Sequence, residues 1–143
     1  MSLGDFLIQV KDRKVQKIYG LPSCVGEIKI GDFRETFIMP LDWWTVGDYE
    51  TQWLEGIERI KHCDESCLVT TIQDLKKIPL IDWWILYKVG STVYVQNELI
   101  AGDCLQTFLN RGEFNRETCY DFIEPRQTVT EDGEKISEWS FEL

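Results

Sequence analysis

A chain of 143 residues that is 43% hydrophobic and 13% aromatic has enough apolar surface for one hydrophobic core, which excludes disorder as its default state. Its 25 Asp and Glu outnumber 15 Lys and Arg, and the net charge of −10 argues against nucleic acid or an anionic membrane as a partner, since such affinities rest on neutralising phosphate. We expect a single domain over residues 1–143 without a membrane span, because no run approaches the roughly 20 apolar residues a span needs.

The first thirty residues hold no positive-then-apolar signal segment, so the chain reads as cytoplasmic. They are slightly basic: Lys11, Arg13, Lys14, Lys17 and Lys29 face Asp5, Asp12 and Glu27. The apolar runs 6-FLIQV-10 and 15-VQKIY-19 flank 11-KDRK-14 and predict a first hairpin turning there. A second hairpin is predicted over 27-EIKIGDFRETFIM-39, turning at Gly31-Asp32.

A helix is predicted after Gly47, with Asp48 as its cap. Tyr49, Trp53, Ile57 and Ile60 recur at spacings of four, four and three and form its buried face; Thr51, Gln52, Glu55, Glu58 and Arg59 fall on the other. Next come a strand at 67-CLVTTI-72 and a central strand at 81-IDWWILYKV-89 that is apolar on both faces. Gly90-Ser91 then turns the chain into 92-TVYVQNEL-99 and sets a register that pairs Tyr87 with Tyr94 and Leu86 with Val95. A short helix is predicted from Arg116 to Ile123, capped by Asn115 and stopped by Pro125, and a last strand at 136-ISEWSF-141. The result is an α+β domain: an antiparallel sheet with one long and one short helix.

Catalytic signals are weak. His62 is the single histidine, and neither a phosphate-binding glycine loop nor a serine nucleophile motif accompanies it. Asp42 and Asp82, each before a tryptophan pair, come nearest to general bases, but the plainer reading has them capping a turn or opening a strand. In 62-HCDESC-67, His62, Cys63 and Cys67 offer three metal ligands without a fourth at customary spacing, so no metal or other cofactor is expected and Cys67 is assigned to the core. The five cysteines follow no framework pattern and are read as reduced thiols.

The tryptophans pose the sharper question. Three of them, with a tyrosine, fall within 39-MPLDWWTVGDYETQW-53, and a second DWW follows at 82–84. Exposed on a sheet, such rings could stack single-stranded nucleic acid, but those sites add a basic groove. Here residues 113–142 carry nine acids against three bases. Acid of this density suits a basic protein partner, drawn in by long-range steering. The candidate contact residues are Asp121 and Glu124, read as sharing a face of the short helix, with Glu131, Asp132 and Glu134 in the following loop; Glu55 and Glu58 on the outward face of the long helix are the second choice.

The run 39-MPLDWWTVGDYETQWLEGI-57, followed by 86-LYKVGSTVYVQNELI-100 and 135-KISEW-139, resembles the immunity proteins of bacterial contact-dependent growth inhibition (CDI) systems, in particular those that protect against toxins cutting small-subunit ribosomal RNA. Residues 1 to 30 lie outside the likeness. The resemblance implies a small cytosolic protein without enzymatic activity that binds the carboxy-terminal nuclease domain of one cognate CDI toxin. It also implies a twisted antiparallel sheet with helices, likened to Whirly domains, and so leaves a Whirly-like single-stranded nucleic-acid-binding module as the alternative. On this reading the indoles are chiefly core, with Trp53 and one member of each tryptophan pair locking the long helix onto the sheet, and the acidic surface carries recognition.

Overall fold

In a computed structural model describing residues 1–143, the chain forms eight strands and two helices. The strands make two four-stranded antiparallel sheets, each with its strands in chain order. This is the expected α+β class, its strands divided between two layers.

The first sheet contains β1 (Ser2–Leu3), β2 (Phe6–Ile18), β3 (Leu21–Ile30) and β4 (Phe33–Pro40). The predicted turn at residues 11–14 does not occur. β2 runs through that segment, and its pairing with β3 shifts between Val10 and Asp12 and again between Asp12 and Gln16. The charged run produces an irregularity, with the Asp12 carboxylate accepting the Lys14 N–H at 2.9 Å, but it holds no glycine and stays extended, Asp12 pairing with Val25 and Gln16 with Ser23 of β3. Reversal waits for Tyr19-Gly20, where φ is 50° and 81°. The hairpin at Gly31-Asp32 forms as predicted, closing on the Ile30–Phe33 pair with Gly31 at φ 59°.

Helix α1 (Val46–Ile60) begins a turn earlier than the sequence suggested. Its cap is Thr45, whose hydroxyl accepts the Asp48 N–H at 3.1 Å while Asp48 accepts the Thr45 N–H at 3.0 Å, a reciprocal capping box. Tyr49, Trp53, Ile57 and Ile60 face inward as predicted. Gln52, assigned to the outer face, is instead fully buried. The reason lies in β5 (Glu65–Ile72), the edge strand of the second sheet. Gln52 Nε2 donates to the Cys67 carbonyl at 2.8 Å and its Oε1 accepts the Val69 N–H at 2.7 Å, so one side-chain amide does what a neighbouring strand would do. Trp53 Nε1 donates to the Val69 carbonyl at 2.7 Å, and Tyr49 Oη accepts the Ile72 N–H at 3.2 Å. Helix and strand meet closely at Gly56, where a Cβ would lie 2.5 Å from the Cys67 carbonyl oxygen.

The second sheet continues with β6 (Leu80–Val89), β7 (Thr92–Ala101) and β8 (Trp139–Glu142). The register predicted across Gly90-Ser91 is observed, with Tyr87 opposite Tyr94 and Leu86 opposite Val95. β6 is buried on both faces. Trp83 packs against Phe108 and Phe114 on one side, while Trp84 meets Phe33 and Trp139 on the other. Both members of this second tryptophan pair are therefore core, each covered by elements other than the long helix. In the first pair, Trp44 packs on Tyr49 of α1 while Trp43 is exposed.

The short helix is not at 116–123. Asn115 does accept the Glu117 and Thr118 N–H groups, but they open only an irregular turn followed by a single 3-10 turn, Cys119–Phe122. The second helix, α2, spans Gly102–Leu109, where just two buried side chains, Leu105 and Phe108, give too short a pattern to register. All five cysteines are free; Cys24, Cys67 and Cys119 are buried. No helix is long and apolar enough to cross a membrane.

Candidate functional site

The carboxy-terminal acids lie on three kinds of local structure. Asp121 is exposed on the single 3-10 turn, and Glu124 follows in extended chain, so the two do not share a helical face. Glu124 pairs with Arg111, which also donates to the Phe122 carbonyl. Glu131, Asp132 and Glu134 crowd a tight reversal closed by the Thr130 N–H on the Glu134 carbonyl at 2.8 Å and the Gly133 N–H on the Thr130 carbonyl at 3.0 Å. Glycine is needed at the tip, where φ is 83°. The ion pairs of this region are Arg111–Glu124, Arg116–Glu117 and Arg126–Glu138; Asp121, Glu131, Asp132 and Glu134 are exposed and in no ion pair.

A firm joint fixes the base of this acidic ribbon. Arg126 reaches both Glu138 oxygens, at 3.0 and 2.7 Å, and its guanidinium lies 4.0 Å above the Tyr94 ring. Gln96 of β7 donates to Glu138 at 2.7 Å and to the Gln127 carbonyl at 2.8 Å. The Arg126 hydrogen bonds hold the Glu138 carboxyl below the usual carboxylate range. Between this segment, α2 and the outer face of β6 and β7 lies a cavity of about 430 Å³, whose lining includes Glu98, Arg111, Phe122 and Glu124.

The outward face of α1 is less acidic than its sequence suggests. Arg116 lies 3.9 Å from Glu55 and 3.6 Å from Asp48, and Glu58 is met by Lys61 at 3.0 Å and His62 at 3.4 Å. The Lys61 hydrogen bond holds Glu58 below its ordinary range. Sequence reasoning missed Arg116 and Arg111 as neutralisers, because their partners lie in distant parts of the chain.

Asp42 and Cys67, both considered for chemistry, have structural duties. Asp42 accepts the Asp74 N–H at 3.1 Å, fixing the connection after β5. His62 is exposed beside Glu58, Cys67 is fully buried, and no group of three or more His, Cys, Asp and Glu could hold a metal ion. Burial pushes the Cys24 and Cys67 thiols up, as it does the Tyr87 hydroxyl, to about 12; this is the reverse of what activates a nucleophile.

A solved structure shares this fold, and the sequence matches a known family. The profile of the CdiI N-terminal domain matches residues 39–143. A protein named immunity protein CdiI, from Enterobacter cloacae, is 36% identical over 120 residues, covering 82% of this chain and 78% of its own length. A solved structure described as a CdiA-CT/CdiI toxin and immunity complex from Enterobacter cloacae superimposes with a TM-score of 0.80 at 32% identity, covering 96% of this chain and 90% of that one.

Proposed function

The chain belongs to the CdiI family of contact-dependent growth inhibition immunity proteins, and from that premise we propose that it binds the carboxy-terminal domain of one cognate CdiA toxin and neutralises it in the cytosol by occlusion. The observation that carries this reading is the similarity, along nearly the whole chain, to a structure described as a toxin and immunity complex. The toxin domain on this reading is a nuclease: the resemblance is to the subgroup facing ribosomal-RNA cutters, and a nuclease presents Lys and Arg to its phosphate-rich substrate. Asp121, Glu131, Asp132 and Glu134, uncompensated at the surface, are the groups such a surface would meet, with Glu124 at the border of the patch and Glu55 and Glu58 as a weaker second face.

A Whirly-like nucleic-acid module would need rings open to bases, whereas Trp83 and Trp84 are buried and Arg126 covers Tyr94. The charge of −10 adds repulsion. Co-expression with the toxin domain encoded immediately upstream should restore growth and yield a copurifying complex. Continued killing with no copurification would overturn the reading, and binding of oligonucleotides at low salt would favour the alternative.

A further inference from the structure

Two carboxylates occupy rows of the sheets that otherwise face inward. On β4, side chains alternate, and Phe33 and Phe37 point inward, Phe33 onto Trp84 and Trp139 and Phe37 edge-on to Trp53. Glu35 lies between them on the same row, opposite Ile28. On β6 the row containing Trp84 and Leu86 also contains Asp82, opposite Leu99 of β7. Both acids line a cleft of about 480 Å³ between the two sheets, and no Lys or Arg lines it with them. Asp82 receives a single side-chain hydrogen bond, from Asn97 at 2.6 Å, and neither acid forms an ion pair. Burial, with the Glu35 charge adding to it, holds the Asp82 carboxyl above its usual range.

The rim is as unexpected as the interior. Leu99 is 63% exposed and Tyr19 92% exposed, and both line the cleft. Tyr19 occupies the first position of a two-residue turn at φ 50°, where Asn, Asp or Gly would be the unstrained choice. Folding alone would favour apolar residues on the inward rows and a small polar one in the turn. The chain does the opposite at Glu35, Asp82 and Tyr19, which converge on one opening.

We propose that this inter-sheet cleft is a socket for an arginine side chain of the toxin partner, its guanidinium between Asp82 and Glu35 and its stem against Tyr19 and Leu99. The inference rests on the toxin-binding reading above and adds a contact separate from the carboxy-terminal acids, none of which lines the cleft. Arginine fits better than lysine because a planar, weakly hydrated cation can pair with carboxylates and lie on aromatic faces in one pose. The two contacts differ in kinetics: exposed acids act at a distance and set association, whereas a pair desolvated in a cleft acts after docking and sets dissociation.

The test measures association and dissociation rates of the purified chain with the upstream-encoded toxin domain for wild type, Glu35→Gln, Asp82→Asn and Tyr19→Asn. Asp82→Asn should dissociate about thirtyfold faster or more with little change in association, and all three variants should melt no lower than wild type. Each of the toxin's arginines is then replaced by alanine, and one should show coupling to Asp82 in a double-mutant cycle. Tight wild-type binding with unchanged dissociation in Glu35→Gln and Asp82→Asn overturns the socket and leaves toxin binding standing. Glu35 and Tyr19 are exposed, so their variants decide the matter even if Asp82→Asn fails to fold. Absence of coupling to any arginine also overturns it. No binding by wild type overturns the toxin-binding reading itself, a result distinct from the others.

Discussion

Gln52 and Trp53 are adjacent, both fully buried, and hold the same strand by different means. Trp53→Ala removes a large apolar side chain and the hydrogen bond to the Val69 carbonyl, and should destabilise by about 3–5 kcal/mol in a denaturant titration. Gln52→Leu keeps the bulk but strands the Val69 N–H and the Cys67 carbonyl, at about 1–3 kcal/mol for each group left without a partner. An unchanged denaturation midpoint in either variant would mean that the helix does not seal the edge of β5. Trp53 was legible in the sequence because its spacing with Tyr49, Ile57 and Ile60 is a hydrophobic signal. Gln52 was not, because a glutamine beside that stripe reads as solvent-facing until the strand needing its amide is known. Gly56 is similar: its missing Cβ matters only once the Cys67 carbonyl lies against it.

At the scale of elements, what was legible depended on whether the signal was local. The hairpins at Gly31 and Gly90 were, because a glycine that supplies positive φ beside alternating strands is itself the cause of the turn. The segment 11–14 was misread because charge imitates a loop, while the pairing with β3 that keeps it extended is distant in sequence. The start of α1 can be tested directly: Thr45→Ala breaks the capping box and should cost about 1 kcal/mol, seen as a melting temperature lower by about 2–4 °C. The joint at the base of the acidic ribbon should show itself through pH. Glu138 is held below its unfolded pKa, so its contribution is present above about pH 4.3 and is lost as pH falls through the lower folded value. Glu138→Gln should therefore be less stable than wild type at pH 7, with the two stabilities converging in acid. A stability gap between them that is the same at pH 7 and pH 3 would refute this electrostatic account of the joint.

Over the whole molecule, charge is the property that reads most directly from sequence and the one whose placement reads least. The excess of acid in the last thirty residues was evident, but which acids remain free depends on where Arg111, Arg116 and Arg126 fold. Glu124, Glu55 and Glu58 acquire cations, while Asp121, Glu131, Asp132 and Glu134 do not, so the field leaving this end of the protein is concentrated on fewer residues than the count suggests. Reversal of Glu131, Asp132 and Glu134 to lysine should leave the melting temperature nearly unchanged, since these side chains are exposed and in no ion pair. The same variant should associate more slowly with a basic toxin domain, because an encounter that was attractive becomes repulsive. The deficit should shrink between low salt and about 0.15 M, where the Debye length is about 8 Å. Equal association rates for variant and wild type at low salt would move the docking surface away from the ribbon, and the partly neutralised Glu55 and Glu58 face of α1 would be the next to reverse.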